Sequence, residues 1–280
     1  MTQISALVLP TFDTLTGASA EDFTLLLVDG MNLVRRVYEA NLAPDSDEKA
    51  QGAIRSSMGS LRRALEEHTP THALLAFDYG GTTWRHEIYA AYRCNRKPMP
   101  APLKNALPGL FDQLRDKGFA LRCIPGVEAD DVIGTVVHRV ADKPFKTIVL
   151  STDKDLATLM GEKVRIRDHF NNEWRDTAWC EKKFGVPPHL LADLLALTGD
   201  SSDDIPGVDK VGPKTAAKLL LEHGSLAGVL EAAPGVKGKL GERLVLQREQ
   251  ALLSRDLVSL KTDVALDIRS CTELRVPVWS

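Results

Sequence analysis

Cysteine is scarce in this chain and nowhere locally paired. The 4 cysteines among 280 residues stand at Cys94, Cys123, Cys180 and Cys271, with no CxxC pair. That spacing argues against a cysteine zinc site or a disulfide framework and fits a reduced, cytoplasmic protein. No segment approaches the roughly 18 continuous apolar residues of a membrane helix, so no membrane partner is expected. Met1 to Ala20 lacks the basic start and compact apolar run of a secretory signal. Its Pro, Thr, Ser and Gly content predicts a loose N-terminal extension over residues 1–21. A GxSxG elbow, a Walker phosphate loop and an HExxH helix are all absent. Serine-nucleophile, NTP-driven and zinc-peptidase chemistry lose their support with them. Positive charge is not in excess either, and a net charge of −3 gives no direct sign of a polyanion ligand.

What the chain does have is a set of short apolar runs that stop at acids. Phe23–Val28 ends at Asp29, Ala73–Phe77 ends at Asp78, and Thr147–Leu150 leads through Ser151-Thr152 to Asp153. Helix-like stretches with apolar residues at threes and fours, Gly52–Glu67 and Leu103–Lys117, lie between them. Strands alternating with helices predict an α/β fold with a mostly parallel sheet covered on both faces. In such sheets ligands bind at the carboxyl ends of the strands. A single aspartate there is adequately explained as a helix cap, whereas three at one edge favour a shared site. After Phe184-Gly185-Val186-Pro187-Pro188 the character changes. Helical stretches His189–Leu197, Lys214–Leu221 and Gly241–Leu253 dominate, and no strand is expected before the tail. The division is therefore residues 22–183 for the α/β domain and 184–275 for a small helical domain.

Further acids cluster. Glu128, Asp130 and Asp131 open a predicted helix, where carboxylates are favoured, but three within four positions repel one another unless cations lie between them. Asp153-Lys154-Asp155 follows the third strand, and Gly199-Asp200-Ser201-Ser202-Asp203-Asp204 lies farther on. Either loop alone reads as a solvated turn, and neither has the calcium-loop pattern. Taken together, oxygen-only ligands from several segments suit Mg2+, with Mn2+ possible, better than zinc. Two such ions roughly 3.5–4 Å apart are the usual apparatus of phosphodiester hydrolysis.

The segments Val28-Asp29-Gly30-Met31-Asn32-Leu33, Phe77-Asp78, Gly126-Val127-Glu128-Ala129-Asp130-Asp131, Ser151-Thr152-Asp153-Lys154-Asp155 and Gly199–Gly207 occur in a specific order. That order resembles the bacterial and phage 5′-nucleases, or flap endonucleases. The resemblance takes in the 5′-nuclease domain of DNA polymerase I and stand-alone exonuclease IX-type proteins, and it spans about residues 22 to 265. It implies a PIN-like core, a helical arch and a helix–three-turn–helix DNA-binding motif. It also implies metal-dependent cleavage of 5′ flaps, 5′ overhangs and branched DNA in replication and repair. By motif matching, Asp29, Asp78, Glu128 and Asp130 belong with one divalent ion, and Asp131, Asp153, Asp155, Asp200 and Asp203 with a second. Exonuclease IX-type members can lack the acids matching Asp155, Asp200 and Asp203; this chain keeps all three. Asp204 stands where relatives usually carry Asn and is left outside the ligand set.

DNA contacts are expected at two places. Trp84–Pro100 mixes basic and aromatic residues, able to neutralise phosphates and stack on bases. The resemblance puts Tyr92, Arg93 and Arg96 at an arch entrance there, and Arg36 near the scissile phosphate. The plainer alternatives are a solvated basic helix face and a surface salt bridge. The second place is the turn after Pro206, with Lys210, Val211, Gly212, Pro213, Lys214 and Thr215 leading into a helix whose N-terminus faces phosphate. The resemblance further implies K+ held by the carbonyls of Leu197, Thr198, Pro206, Val208 and Val211. Without the nine proposed metal-site acids the balance moves from −3 to +6, compatible with a DNA partner. Alternatives are a PIN-type ribonuclease, which needs neither DNA element, and a non-catalytic branched-DNA-binding protein, which needs no complete acid set. Nothing predicts an obligate oligomer, so a monomer is expected.

Overall fold

The computed structural model describes residues 23–279; the extension expected over residues 1–21 lies outside them. Six strands form the central sheet: β1 (Phe23–Asp29), β2 (His72–Asp78), β3 (Ala120–Ile124), β4 (Phe145–Leu150), β5 (Val164–Asp168) and β6 (Glu173–Arg175). Their spatial order is β3-β2-β1-β4-β5-β6. All neighbours run parallel except β6, which pairs antiparallel with β5. From β1 the chain builds outward through β2 to β3, then returns to the other side of β1 for β4. The switch in direction opens a crevice between β1 and β4 at their carboxyl ends, the place where such sheets bind ligands. Asp29 and the loop leading to Asp153 border it.

Alternation along β1 supplies both faces of the core. Leu25 and Leu27 point to one side, Leu26 and Val28 to the other, and all four are fully buried. The Leu26 side packs against α1 (Gly30–Ala40), α2 (Asp47–His68) and α4 (Ala101–Asp116). The short α3 (Trp84–Ile88) lies between β2 and α4 in the chain and takes no part in that cluster. The Leu25 side packs against α5 (Ala129–Arg139) and runs without a break into the helical part. Gly30 permits the tight approach, because a Cβ there would stand 2.3 Å from the Phe77 ring on β2.

Beyond the sheet come α6 (Thr177–Phe184), α7 (Pro188–Thr198), α8 (Pro213–His223), α9 (Leu226–Ala232), α10 (Lys239–Leu246) and α11 (Arg248–Val258). The helix expected over Gly241–Leu253 is in fact two, broken at Gln247, which closes α10 and caps α11. The strand expected in the tail is also corrected. Residues 259–279 hold a single turn, Cys271–Leu274, and one isolated bridge from Arg275 to His72. That tail runs back across the first domain. Arg139 donates to the carbonyl of Val264 (2.8 Å), the Val276 amide donates to Thr71 O (3.0 Å), and Trp279 lies on Phe119. No described helix is long and apolar enough to cross a membrane.

The stretch expected to arch over the site is compact. Between β2 and α4 only the five-residue α3 forms, followed by turns through residue 96. These fold down onto the acids rather than standing above them.

Candidate active site

Four acids from four separate segments surround a cleft of about 260 Å³ at the switch point: Asp29, Asp78, Asp130 and Asp153. Asp29 ends β1 and caps α1, accepting from Asn32 N (3.0 Å) through Oδ1 and from Ser151 Oγ (2.9 Å) through Oδ2. Asp78 ends β2 and accepts from Ala129 N (2.8 Å) at the start of α5. The capping explanation and the shared-site explanation thus hold together: caps fix the acids in place, and their free faces meet. Burial and the neighbouring Asp78 and Asp153 push Asp29 up to about 7. Burial, Asp153, Asp29 and Asp78 hold Asp130 well above the usual carboxylate range, with Arg93 opposing.

A second acid group adjoins through Asp153. Its Oδ1 accepts from Asp155 N (3.0 Å). Asp155 is held well above its ordinary value by burial, Asp153 and Asp200, and its Oδ1 is buried without a hydrogen-bond partner. Burial alone would raise Asp200 as well. Lys154 Nζ at 2.7 Å and the Ser202 hydroxyl at 2.6 Å outweigh it and hold Asp200 below the usual range.

The remaining proposed ligands are engaged by cations. Asp131 is fully buried and does not join either group. Arg85 grips it bidentately (2.9 and 3.0 Å), while Trp84 Nε1 (2.8 Å) and Lys261 N (2.9 Å) take its remaining acceptor positions. With four donors in place its oxygens have nothing left for a metal, so its assignment to the second ion is corrected. Glu128 still borders the cleft but accepts from Thr83 Oγ1 (3.0 Å), Tyr92 Oη (3.1 Å) and Arg93 (2.8 Å). Asp203 accepts from Arg93 (2.7 Å) and Tyr92 Oη (3.2 Å).

Tyr92 and Arg93 therefore differ from expectation. Tyr92 is 2% exposed, so its ring has no face open to a base. Arg93, at a left-handed φ of 53°, ties Glu128 to Asp203 instead of reaching outward. Arg36 and Arg96 do border the cleft, with both side chains toward solvent. Asp204 turns away to accept from Asn95 N (2.9 Å) and Nδ2 (2.8 Å). Arg85 and Lys154 were missed as partners of the acids. The available signal was the crowding of Glu128, Asp130 and Asp131, which calls for a counter-charge that can be an arginine as well as an ion.

The chemistry of the set suits a hard divalent cation. It offers oxygen donors only, like charges in apposition, and an orphaned buried carboxylate oxygen on Asp155. Among the described residues no three acids already converge at ligand spacing. A cation between them would offset the repulsion that helps raise Asp29 and Asp130.

That repulsion has a measurable sign. Asp29 binds its proton more tightly folded than unfolded, so its stabilising contribution is complete below about 3.8 and lost as pH rises through about 7. Asp200, held low, loses its contribution only at still lower pH. In chelator, Tm should fall between about pH 4 and about pH 7, and a divalent ion at neutral pH should raise it again by binding the folded form. A flat Tm over that window would count against apposed carboxylates.

The helical part presents a second surface. Val208 and Val211 are buried, while Lys210, Gly212, Pro213 and Lys214 stand exposed at the turn into α8. Thr215 follows half-buried in the first turn. The loop closes by backbone contact: a Cβ on Gly207 would lie 2.3 Å from Gly199 N and from the Thr198 carbonyl carbon. Of the carbonyls expected to face K+, Leu197 O accepts from Val208 N (2.8 Å), Val208 O accepts from Val211 N (3.0 Å) and Pro206 O accepts from the Ser254 hydroxyl. Thr198 closes α7, and Val211 lies in the turn before α8.

Comparison with known proteins gives concordant results. Residues 24–185 match the family model described as 5′-3′ exonuclease, N-terminal resolvase-like domain, and residues 186–278 the model described as 5′-3′ exonuclease, C-terminal SAM fold. The flap endonuclease Xni of Pectobacterium carotovorum subsp. carotovorum (strain PC1) is 36% identical over 258 residues, covering 91% of this chain and 96% of that protein. The Psychromonas ingrahamii Xni is 36% identical over 245 residues, covering 87% and 94%. Among solved structures, phage T5 5′-exonuclease with bound zinc superposes with a TM-score of 0.71 at 24% identity, covering 85% of this chain and 90% of that one. The T5 D15 flap endonuclease in a complex with DNA and metal ions gives 0.69 at 22% identity, covering 84% and 88%.

Proposed function

Since the chain belongs to the 5′-3′ exonuclease family, we propose that it is a divalent-metal-dependent, structure-selective 5′-nuclease hydrolysing DNA at 5′ flaps, overhangs and branches. The single observation that carries this is the meeting of Asp29, Asp78, Asp130 and Asp153 in one cleft with arginines on its rim. Asp29, Asp78, Asp130 and Asp153 would hold one Mg2+ or Mn2+. Asp153 and Asp155, with Asp200 and Asp203 if they leave Lys154 and Arg93, would hold another. When bound, such ions supply a water of lowered pKa, a polarised phosphate and a stabilised leaving oxygen.

The chain's own groups do the rest. Arg36 and Arg96 neutralise phosphate charge at the cleft mouth, while Ser151 and Asn32 N fix the orientation of Asp29. The turn Lys210–Thr215 grips duplex phosphate through the amides at the start of α8 and through Lys214. A K+ held by the carbonyls of Leu197, Thr198, Pro206, Val208 and Val211 would stiffen that turn. Both acid groups come from one chain, which supports action as a monomer, and a DNA substrate supports a cytoplasmic setting.

The deciding assay offers matched flap DNA, blunt duplex and single-stranded RNA to the protein, in Mg2+ or in chelator. Metal-dependent cutting of the flap is expected; cutting confined to RNA would overturn the proposal. In the same system Lys214→Ala should weaken DNA binding and lower the slope of log affinity against log salt by about one, while leaving the rate at saturating DNA near that of the unaltered protein. An unchanged slope would remove Lys214 from the phosphate contacts.

A further inference from the structure

We propose that Phe170, on the β5–β6 hairpin, is a positioning residue that seats the Arg36 guanidinium over the acid cleft, ready for the scissile phosphate. This rests on the nuclease reading of the cleft and deepens it.

The hairpin is built to hold one side chain in place. Asp168 at the end of β5 is fully buried. Its Oδ1 accepts from the amides of Phe170 (3.1 Å) and Asn171 (3.0 Å), and its Oδ2 from Asn171 Nδ2 (2.9 Å) and Arg175 (2.6 Å). Every acceptor position of the aspartate is therefore spent on fixing the turn. The turn presents Phe170 with 38% of its surface exposed. A single exposed aromatic is unremarkable in itself; its neighbour is what gives it a role. The Arg36 guanidinium carbon lies 5.1 Å from the ring centroid, cation over π face.

The same hairpin is tied to the catalytic loop. Arg175 also donates to Thr152 O (3.0 Å), one residue before Asp153. Thr152 donates through its amide (3.1 Å) and its hydroxyl (3.0 Å) to Asn32 Oδ1 on α1. One turn farther along α1, Arg36 donates to Thr152 Oγ1 (3.2 Å). A closed circuit results: Asp168 to Arg175, to Thr152, to Arg36, to Phe170 and back to Asp168.

Among the described residues Arg36 makes no ion pair; its contacts are a hydroxyl and an aromatic face. Neither contact neutralises its charge, so the full cation stays available at the cleft mouth. Without the ring, a long arginine side chain regains rotamer freedom that must be lost again on meeting phosphate.

The test is flap cleavage by the full chain with Phe170→Leu, Phe170→Tyr, Arg36→Ala and the double variant Arg36→Ala/Phe170→Leu. DNA affinity and Tm are measured alongside. Phe170→Leu should lower kcat roughly five-fold, the size of a part-exposed cation–π contact, with little change in Kd or Tm. Phe170→Tyr, which keeps the ring face, should cut at the original rate. Arg36→Ala should lose more, and the double variant no more than Arg36→Ala alone. A Phe170→Leu rate equal to that of the unaltered protein, or losses that multiply in the double variant, would overturn the proposal. If the unaltered protein cuts no flap at all, it is the nuclease reading that fails, and this inference goes with it.

Discussion

Asp153→Ala is expected to give a protein that folds and holds flap DNA but cuts it about a thousandfold more slowly. The magnitude follows from losing several kcal/mol of transition-state stabilisation, at roughly 1.4 kcal/mol per tenfold. Asp153 is the acid common to both groups: it raises Asp29 and Asp130 on one side and Asp155 on the other. Its removal also relieves repulsion, so in chelator the variant should melt no lower than the unaltered protein. Single-turnover cleavage at saturating DNA isolates the chemical step from binding. A rate within a factor of a few of the original would take Asp153 out of the metal site.

Arg85→Met acts in the opposite way, on the fold before the chemistry. Arg85 is 3% exposed, and it donates to both oxygens of Asp131 and to the carbonyls of Leu257 (2.8 Å) and Ser259 (2.9 Å). Burial works against its charge, but Glu128 and Asp131 hold the guanidinium firmly protonated. Removing it leaves the buried Asp131 carboxylate without its counter-charge, while Glu128 keeps Arg93, a cost of about 3–5 kcal/mol, or a Tm lower by on the order of 10 °C. Arg85→Lys should recover little, because an ammonium cannot reproduce the bidentate fork. Arg85→Met with Asp131→Leu should recover much of the loss, since the charge left stranded goes as well. Thermal melts in chelator decide it; an Arg85→Met midpoint equal to the original would mean that the pair contributes nothing.

Asp130 and Asp131 show how far the sequence could be read. Both belong to the helix-opening acid motif, and composition cannot separate them. Neighbouring helical positions point about 100° apart, so Asp130 faces the cleft while Asp131 faces the interior and Arg85. Only the three-dimensional path of Trp84-Arg85, from a distant segment, makes the difference. Tyr92 went astray for a related reason. A basic and aromatic stretch reads as a nucleic-acid surface, but here Tyr92 turns inward to Glu128 and Asp203. The strands ending at Asp29 and Asp78, and the one leading to Asp153, were legible because both faces are covered and their apolar runs are unbroken. β3 and β5 were not, because Arg122 and Arg167 interrupt the pattern. Arg122 finds the carbonyls of Leu266 and Asp267, and Arg167 finds Glu67. Those partners lie 144, 145 and 100 residues away along the chain, beyond any local pattern.

The tail that folds back over the first domain carries a consequence for how the protein is made. The acids still proposed as ligands precede residue 204 and leave the ribosome early. The carbonyls of Leu257 and Ser259 that hold Arg85, and the Lys261 amide that completes Asp131, come much later. The strap from Val264 to Val276 that seals α5 and the edge near Thr71 comes later still. A nascent chain therefore carries the proposed metal-binding acids before the backbone groups that hold Arg85 and Asp131 in place have been made.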